Sequence, residues 1–205
     1  MADQIVKNSW ALLTMHKAAS SFLGEILKMI FASRGYGVLD LAASAFSAGM
    51  DEKHYIESHT DLLRQAGFFF GPFRTDTAGV VAQVSQVRPI VHVRDPRDCL
   101  VSLYFSLAYS HPVPGPGPIR ERFLAEREQF RAMSVDDFAL EALRRGYLAL
   151  GIMREIVEQR PDALLSRYED LVTDFMPWVD RLLARLELNL DGETLQRVTD
   201  YAVST

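Results

Sequence analysis

Trp10-Ala11-Leu12-Leu13-Thr14-Met15-His16-Lys17-Ala18-Ala19-Ser20-Ser21-Phe22 is the stretch on which the fold turns. Trp10 to Met15 form a compact apolar run, too short to cross a membrane and of the right length for a strand buried on both faces of a parallel sheet. The basic pair His16-Lys17 and the small residues Ala18 to Ser21 come next. Leu23, Ile26, Leu27, Ile30 and Phe31 then recur at helical spacing, and Arg34-Gly35-Tyr36-Gly37 punctuates the helix end. The chain opens as strand, tight turn, helix.

Outward from that unit the alternation continues. Residues 38–66 carry apolar groups at roughly helical spacing, broken at Met50-Asp51-Glu52. Phe68-Phe69-Phe70 is a short buried strand before Gly71-Pro72, and a helix is expected over 78–86 with Asp76 or Thr77 as its cap. Pro89 to Val93 is a further strand, leading through Arg94-Asp95-Pro96-Arg97-Asp98 into a helix over about 98–109. The prolines of His111 to Pro118 exclude helix and central strand, so that segment is a mobile loop. Helices are expected over 120–129 and 135–159, a strand over 163–168, and helices over 175–186 and 194–203. Strands alternating with helices give an α/β fold around a central, mainly parallel sheet, with one domain over 1–205.

Composition narrows the function classes. Of 205 residues 48% are hydrophobic, enough for a full core, and 24% are charged. Twenty-seven acidic against 22 basic residues leave a net charge of −5, which argues against a general nucleic-acid partner. The single Cys99 excludes an intrachain disulfide and a thiolate metal cluster. No apolar run approaches the roughly 20 residues of a membrane span. Asp3, Gln4, Lys7 and Asn8 do not make an export signal, so a reducing, cytoplasmic location is expected.

Two strand-to-helix turns carry the chemistry, because ligands of such folds bind where strands end and helices begin. In the first, small side chains at Ala18 and Ala19 let backbone N–H groups approach an anion, Ser20 and Ser21 add donors, and Lys17 adds charge. Serine as a plain helix cap is the competing reading. The turn lacks the glycines and lysine order of GxxxxGK[ST], which disfavours a standard ATPase or GTPase. In the second, Arg94 leaves a strand and Ser102 follows eight residues later, so a guanidinium and a hydroxyl can share one phosphate.

Taken together, Lys17-Ala18-Ala19-Ser20-Ser21-Phe22 resembles the 5′-phosphosulfate loop of the sulfotransferases, and Arg94 to Ser102 resembles their 3′-phosphate motif. Tyr168-Glu169-Asp170-Leu171 is similar to a Tyr-Glu-Asp-Leu segment of that family, in the same order along the chain. The resemblance implies a P-loop NTPase-like three-layer fold. It also implies sulfuryl transfer from 3′-phosphoadenosine 5′-phosphosulfate (PAPS), leaving 3′-phosphoadenosine 5′-phosphate (PAP), with no metal. By position, Lys17 would bind and neutralise the phosphosulfate, Ala18 to Phe22 would complete the cradle, and Arg94 with Ser102 would hold the 3′-phosphate. Phe22 takes the place of an adenine-packing aromatic, and Tyr168 that of a tyrosine near the base.

Departures from the family pattern matter too. Ala19 stands where glycine is usual and His16 where proline is common. The basic, glycine-containing loop that follows in the family has no counterpart before Thr205, so either the chain is trimmed or the site is less enclosed. Gly71-Pro72-Phe73-Arg74 holds no histidine where the cytosolic family places its base. Candidates are His54, His59, Glu57, Asp40 and His111, with His59 the nominee for catalysis. His92 reads as structural, and Arg74 as a surface residue or a ligand for an acidic acceptor. The acceptor is expected to be a small molecule or glycan, and the helices of 120–160 can pack internally or form a homodimer. A nucleotide-binding protein without transfer activity and a small P-loop-like kinase are the competing functions.

Overall fold

The computed structural model describes residues 7–113 and 115–204, with the side chains of residues 75, 76, 118 and 119 outside the described set. The chain divides into two compact units, one formed by residues up to Val93 together with those from Ala149 onward, the other by Arg94–Leu148.

The larger unit is built on five strands, β1 (Ser9–Thr14), β2 (Gly37–Leu39), β3 (Phe68–Arg74), β4 (Val87–Val93) and β5 (Leu164–Arg167). They lie in the order β2-β3-β1-β4-β5, and every pairing is parallel. Every residue of β1, the central strand, is buried, as its apolar run requires. Its helices are α1 (Ser20–Ser33), α2 (Leu41–Ser47), α3 (Glu52–Ser58), α4 (Thr60–Leu63) and α5 (Thr75–Ala82). After the smaller unit come α9 (Leu150–Gln159), α10 (Tyr168–Thr173), α11 (Phe175–Leu186) and α12 (Gly192–Ser204).

Alternation along the strands sorts the core into two layers. Trp10, Leu12, Phe69, Ile90 and Leu164 face α1, α11 and α12, where Phe31 stacks on Phe69 with ring centroids 4.8 Å apart. Ala11, Leu13, Phe70, Phe73 and Val91 face the other way, against Leu41, Ile56, Leu63, Val81 and Ile156. Each fully buried Leu, Ile or Phe among them contributes about 1.5–3 kcal/mol. The expected three-layer arrangement is therefore present within this unit. No helix among the described residues is long and apolar enough to cross a membrane.

Several elements differ from expectation, among them the helix expected over 135–159, which is two helices, one ending at Arg144 and the next starting at Leu150. β3 does not stop at Gly71-Pro72 but runs on to Arg74. A bulge absorbs the interruption: Ala11 pairs with Phe70, but Leu13 pairs with Phe73. Gly71, at φ +107°, is required there because a Cβ would stand 2.9 Å from the Leu12 carbonyl oxygen. The helix expected over 78–86 is α5, which begins at Thr75 directly from β3. Thr77 sits inside it rather than capping it, and the Asp76 side chain lies outside the described residues. The short β2 and α10 carry too few residues for a periodic signal.

In the smaller unit, α6 (Pro96–Phe105) continues into a π-helical turn (Ser106–Ser110), followed by α7 (Pro118–Arg131) and α8 (Val135–Arg144). Asp95 caps α6 by accepting from the Arg97 amide, with Pro96 in the first turn where its missing N–H costs nothing. Carbonyls in and just after the π turn are bonded by side chains of α7. Arg127 donates to Leu107 and His111, and Arg131 to Ala108.

Candidate active site

The Lys17–Phe22 loop leaves the end of β1 and enters α1. Lys17 (φ +64°) and Ala19 (φ +58°) both adopt the left-handed conformation, flanking the fully buried Ala18. Alternating hands of this kind turn successive N–H groups toward one concavity. Ala19 is also the N-cap of α1 and has no side chain to offer, so the leading amides of the helix are left without a side-chain cap. The serine-cap reading therefore fails: Ser20 is the first helical residue, buried, and Ser21 is exposed. The concavity combines a helix terminus, an adjacent lysine and two hydroxyls, which is a fit for a phosphate or sulfate group.

Beneath the loop the sheet carries a row of polar residues in register, Thr14 beside His92 and His92 beside Ser166. His92 is fully buried, and its Nδ1 lies 2.9 Å from Ser166 Oγ. Ser166 Oγ also accepts from Trp178 Nε1 at 3.1 Å, which leaves the serine proton for Nδ1 and the ring proton on Nε2. Nε2 finds no well-formed hydrogen bond among the described residues. Burial holds the imidazole neutral, pushing its pKa down from 6.5 to about 4, although the Ala18 backbone and Glu169 favour the charged form. The structural reading of His92 fits this setting.

Phe22 is half-buried and stacked on Tyr201 at 5.6 Å, with Phe175 tilted against it at 6.5 Å. Tyr168 begins α10 directly after β5 and is half-buried. In the smaller unit, Arg94 lies 3.7 Å from Asp98 Oδ2. Asp98 and Ser102 are four residues apart on α6 and share a face, so Arg94 is directed along the face that presents Ser102.

The sequence reading missed a second cluster beside the loop. Arg74, at the end of β3, donates from Nε to Ser20 Oγ at 2.9 Å. It is not a surface residue, and burial lowers its pKa while Glu52 and Asp40 act against the shift. Thr77 Oγ1 lies 2.9 Å from Glu52 Oε1 and 2.5 Å from the Arg74 carbonyl oxygen. Asp40 accepts from Lys28 at 2.9 Å and from the Ala43 amide at 3.0 Å. The signal that could have found Arg74 is topological: β3 pairs with β1, so its carboxyl end emerges beside the loop that follows β1. His59 joins none of this. Its Nδ1 contacts Tyr55 O and Ser58 Oγ, and its ring stacks on Tyr55 at 4.2 Å, all within its own helical segment.

Comparison with known proteins bears on the family and the fold. No curated protein matches the chain in sequence. Among solved structures, mouse sulfotransferase SULT7A1 complexed with PAP superposes with a TM-score of 0.59 at 15% identity, over 93% of this chain and 63% of that one. A retinol dehydratase in a complex with retinol and PAP gives a TM-score of 0.52 at 17% identity, over 95% of this chain and 64% of that one. The chain thus spans just under two thirds of the length of these structures, and the fold it shares with them is the P-loop NTPase-like fold of the sulfotransferases. Residues 8–204 match the family model described as the sulfotransferase domain, and the chain belongs to that family.

Proposed function

We propose that the chain transfers a sulfuryl group from PAPS to an oxygen or nitrogen of a small-molecule or glycan acceptor. The observation that carries this reading is the Lys17–Phe22 loop, whose left-handed Lys17 and Ala19 leave the start of α1 uncapped beside a lysine. When bound, PAPS supplies an activated sulfuryl group on a phosphate that leaves with the electron pair.

The residues of the chain then do what such a transfer requires, which is mostly positioning and charge stabilisation. Lys17 neutralises charge that grows on the leaving phosphate. The amides of residues 18–22, with the Ser20 and Ser21 hydroxyls, hold the phosphosulfate oxygens. Arg94 and Ser102 hold the 3′-phosphate, the group that separates this donor from ATP. Phe22 and Tyr168 flank the adenine. The family match and the two PAP-bound neighbours support the choice of nucleotide. One domain over 1–205 and a cytoplasmic setting are part of the same proposal.

Calorimetric titration with PAP, beside AMP and ATP without magnesium, tests it. A clear preference for PAP that disappears in Arg94→Ala is the expected result. Equal affinity for PAP and AMP, or ATP binding that needs magnesium, would overturn the donor assignment in favour of a kinase-like site.

A further inference from the structure

An acceptor hydroxyl must lose a proton as it attacks sulfur, and the donor loop offers only cations and hydroxyls for the task. Resting on the function proposed above, we propose that Glu52 is the general base that takes this proton, beside the Lys17–Phe22 loop.

Placement is the first argument. Glu52 is joined to the loop by a short chain of contacts, from its Oε1 to Thr77 Oγ1 at 2.9 Å, from Thr77 to the Arg74 carbonyl at 2.5 Å, and from Arg74 Nε to Ser20 Oγ at 2.9 Å. Glu52 opens α3 and is half-buried. Among the described residues nothing hydrogen-bonds its second oxygen, Oε2, which is thus available to an incoming hydroxyl.

The second argument counts protons. Thr77 has one hydroxyl proton and two acceptors, the Glu52 carboxylate and the Arg74 carbonyl. With Glu52 ionised, one acceptor goes short. The Thr77 proton, shared with the Arg74 carbonyl, therefore holds the ionised carboxylate only weakly, which leaves it basic enough to take a proton. Burial acts in the same direction, raising the Glu52 pKa above the ordinary carboxylate value. Asp40 and Asp51 add to the rise, whereas Arg74 and the Thr77 hydrogen bond oppose it.

Among the described residues, the neighbouring carboxylates Asp40 and Asp51 are committed elsewhere. Asp40 spends one oxygen on Lys28 and the other on the Ala43 amide. Asp51 is exposed and caps α3 through the His54 amide.

In the step itself, the acceptor O–H bond breaks and its proton passes to Glu52. The freed electron pair forms the O–S bond, while the S–O bond to the 5′-phosphate breaks and its pair leaves on the phosphate. The proton then passes from Glu52 to water.

The test uses wild-type protein and Glu52→Gln. PAP affinity is measured first, and Glu52→Gln should bind PAP as tightly as wild type or up to about fivefold tighter, since a nearby negative charge is gone. Absence of PAP binding in wild type overturns the donor reading and this inference with it, whereas loss confined to Glu52→Gln overturns only the role of Glu52. Next, carbon-13 titration of the wild-type Glu52 carboxyl should show a midpoint that rises by about half a unit or more when PAP is bound. An unmoved midpoint overturns the placement. Last, sulfate transfer from PAPS is followed to water and to 2-naphthol as probes. Glu52→Gln should be slower by about 10²- to 10⁴-fold and should lack the acidic limb of the wild-type pH profile. Rates within threefold of wild type, or a wild type that binds PAP and transfers to neither probe, would overturn the proposal.

Discussion

His92 makes the stability of this chain sensitive to mild acid in a way that can be isolated. Its imidazole is fully buried and its pKa is held at about 4, against 6.5 for a free side chain. The unfolded chain therefore takes up the proton first as pH falls. The contribution is fully present above pH 6.5 and is lost on the way down through about pH 4. The whole shift corresponds to about 3 kcal/mol, most of which is gone between pH 8 and pH 4.5. Carboxylates titrate over the same range, so the comparison is with His92→Gln, which keeps an amide donor and acceptor but has no proton to gain. Urea unfolding of both proteins at half-unit steps should give curves that converge in acid, with wild type losing about 2 to 3 kcal/mol more than the variant. Parallel curves, within about 0.5 kcal/mol from pH 8 to pH 4.5, would refute the burial argument for His92.

Other perturbations separate the loop from its surroundings. Ala19→Gly should raise stability by about 0.5 kcal/mol, because relief of the left-handed Cβ contact slightly exceeds the added backbone freedom of glycine; a loss in thermal unfolding would contradict this. Lys17→Ala should reduce transfer rate far more than PAP affinity, since charge at the leaving phosphate is greatest in the transition state, and matched losses in both would speak against that role. Arg160→Met should cost about 2 kcal/mol in urea unfolding, because it strands the Ala82 and Val87 carbonyls, each 2.6 Å from the guanidinium. A neutral result would mean that water replaces both donors.

Much of this architecture was legible in the residue pattern. The apolar run of β1 and the helical spacing of α1 each act through local rules, so their reading needed no partner. Gly71-Pro72 misled because the bulge that carries β3 through it depends on the neighbouring strand. The loop of Lys17 to Phe22 was visible as small and polar residues, while its left-handed turns were not. Arg74, Thr77 and Glu52 were illegible for a different reason. They lie on three elements whose meeting depends on parallel pairing and on which helix follows which strand. Sequence spacing carries no trace of that.

A loop without glycine has one more consequence. Glycine-rich anion loops sample both hands of the backbone and must settle when a ligand arrives, at an entropic cost of about 1–2 kcal/mol for each residue ordered. Here the Cβ atoms of Ala18, Ala19, Ser20 and Ser21 remove most of those alternatives, and the left-handed turns are held by the buried Ala18 and the start of α1. The ordering cost is met during folding, so on the function proposed above an anion would meet a cradle already ordered. The same stiffness denies the loop any capacity to tighten around a smaller anion or widen around a larger one.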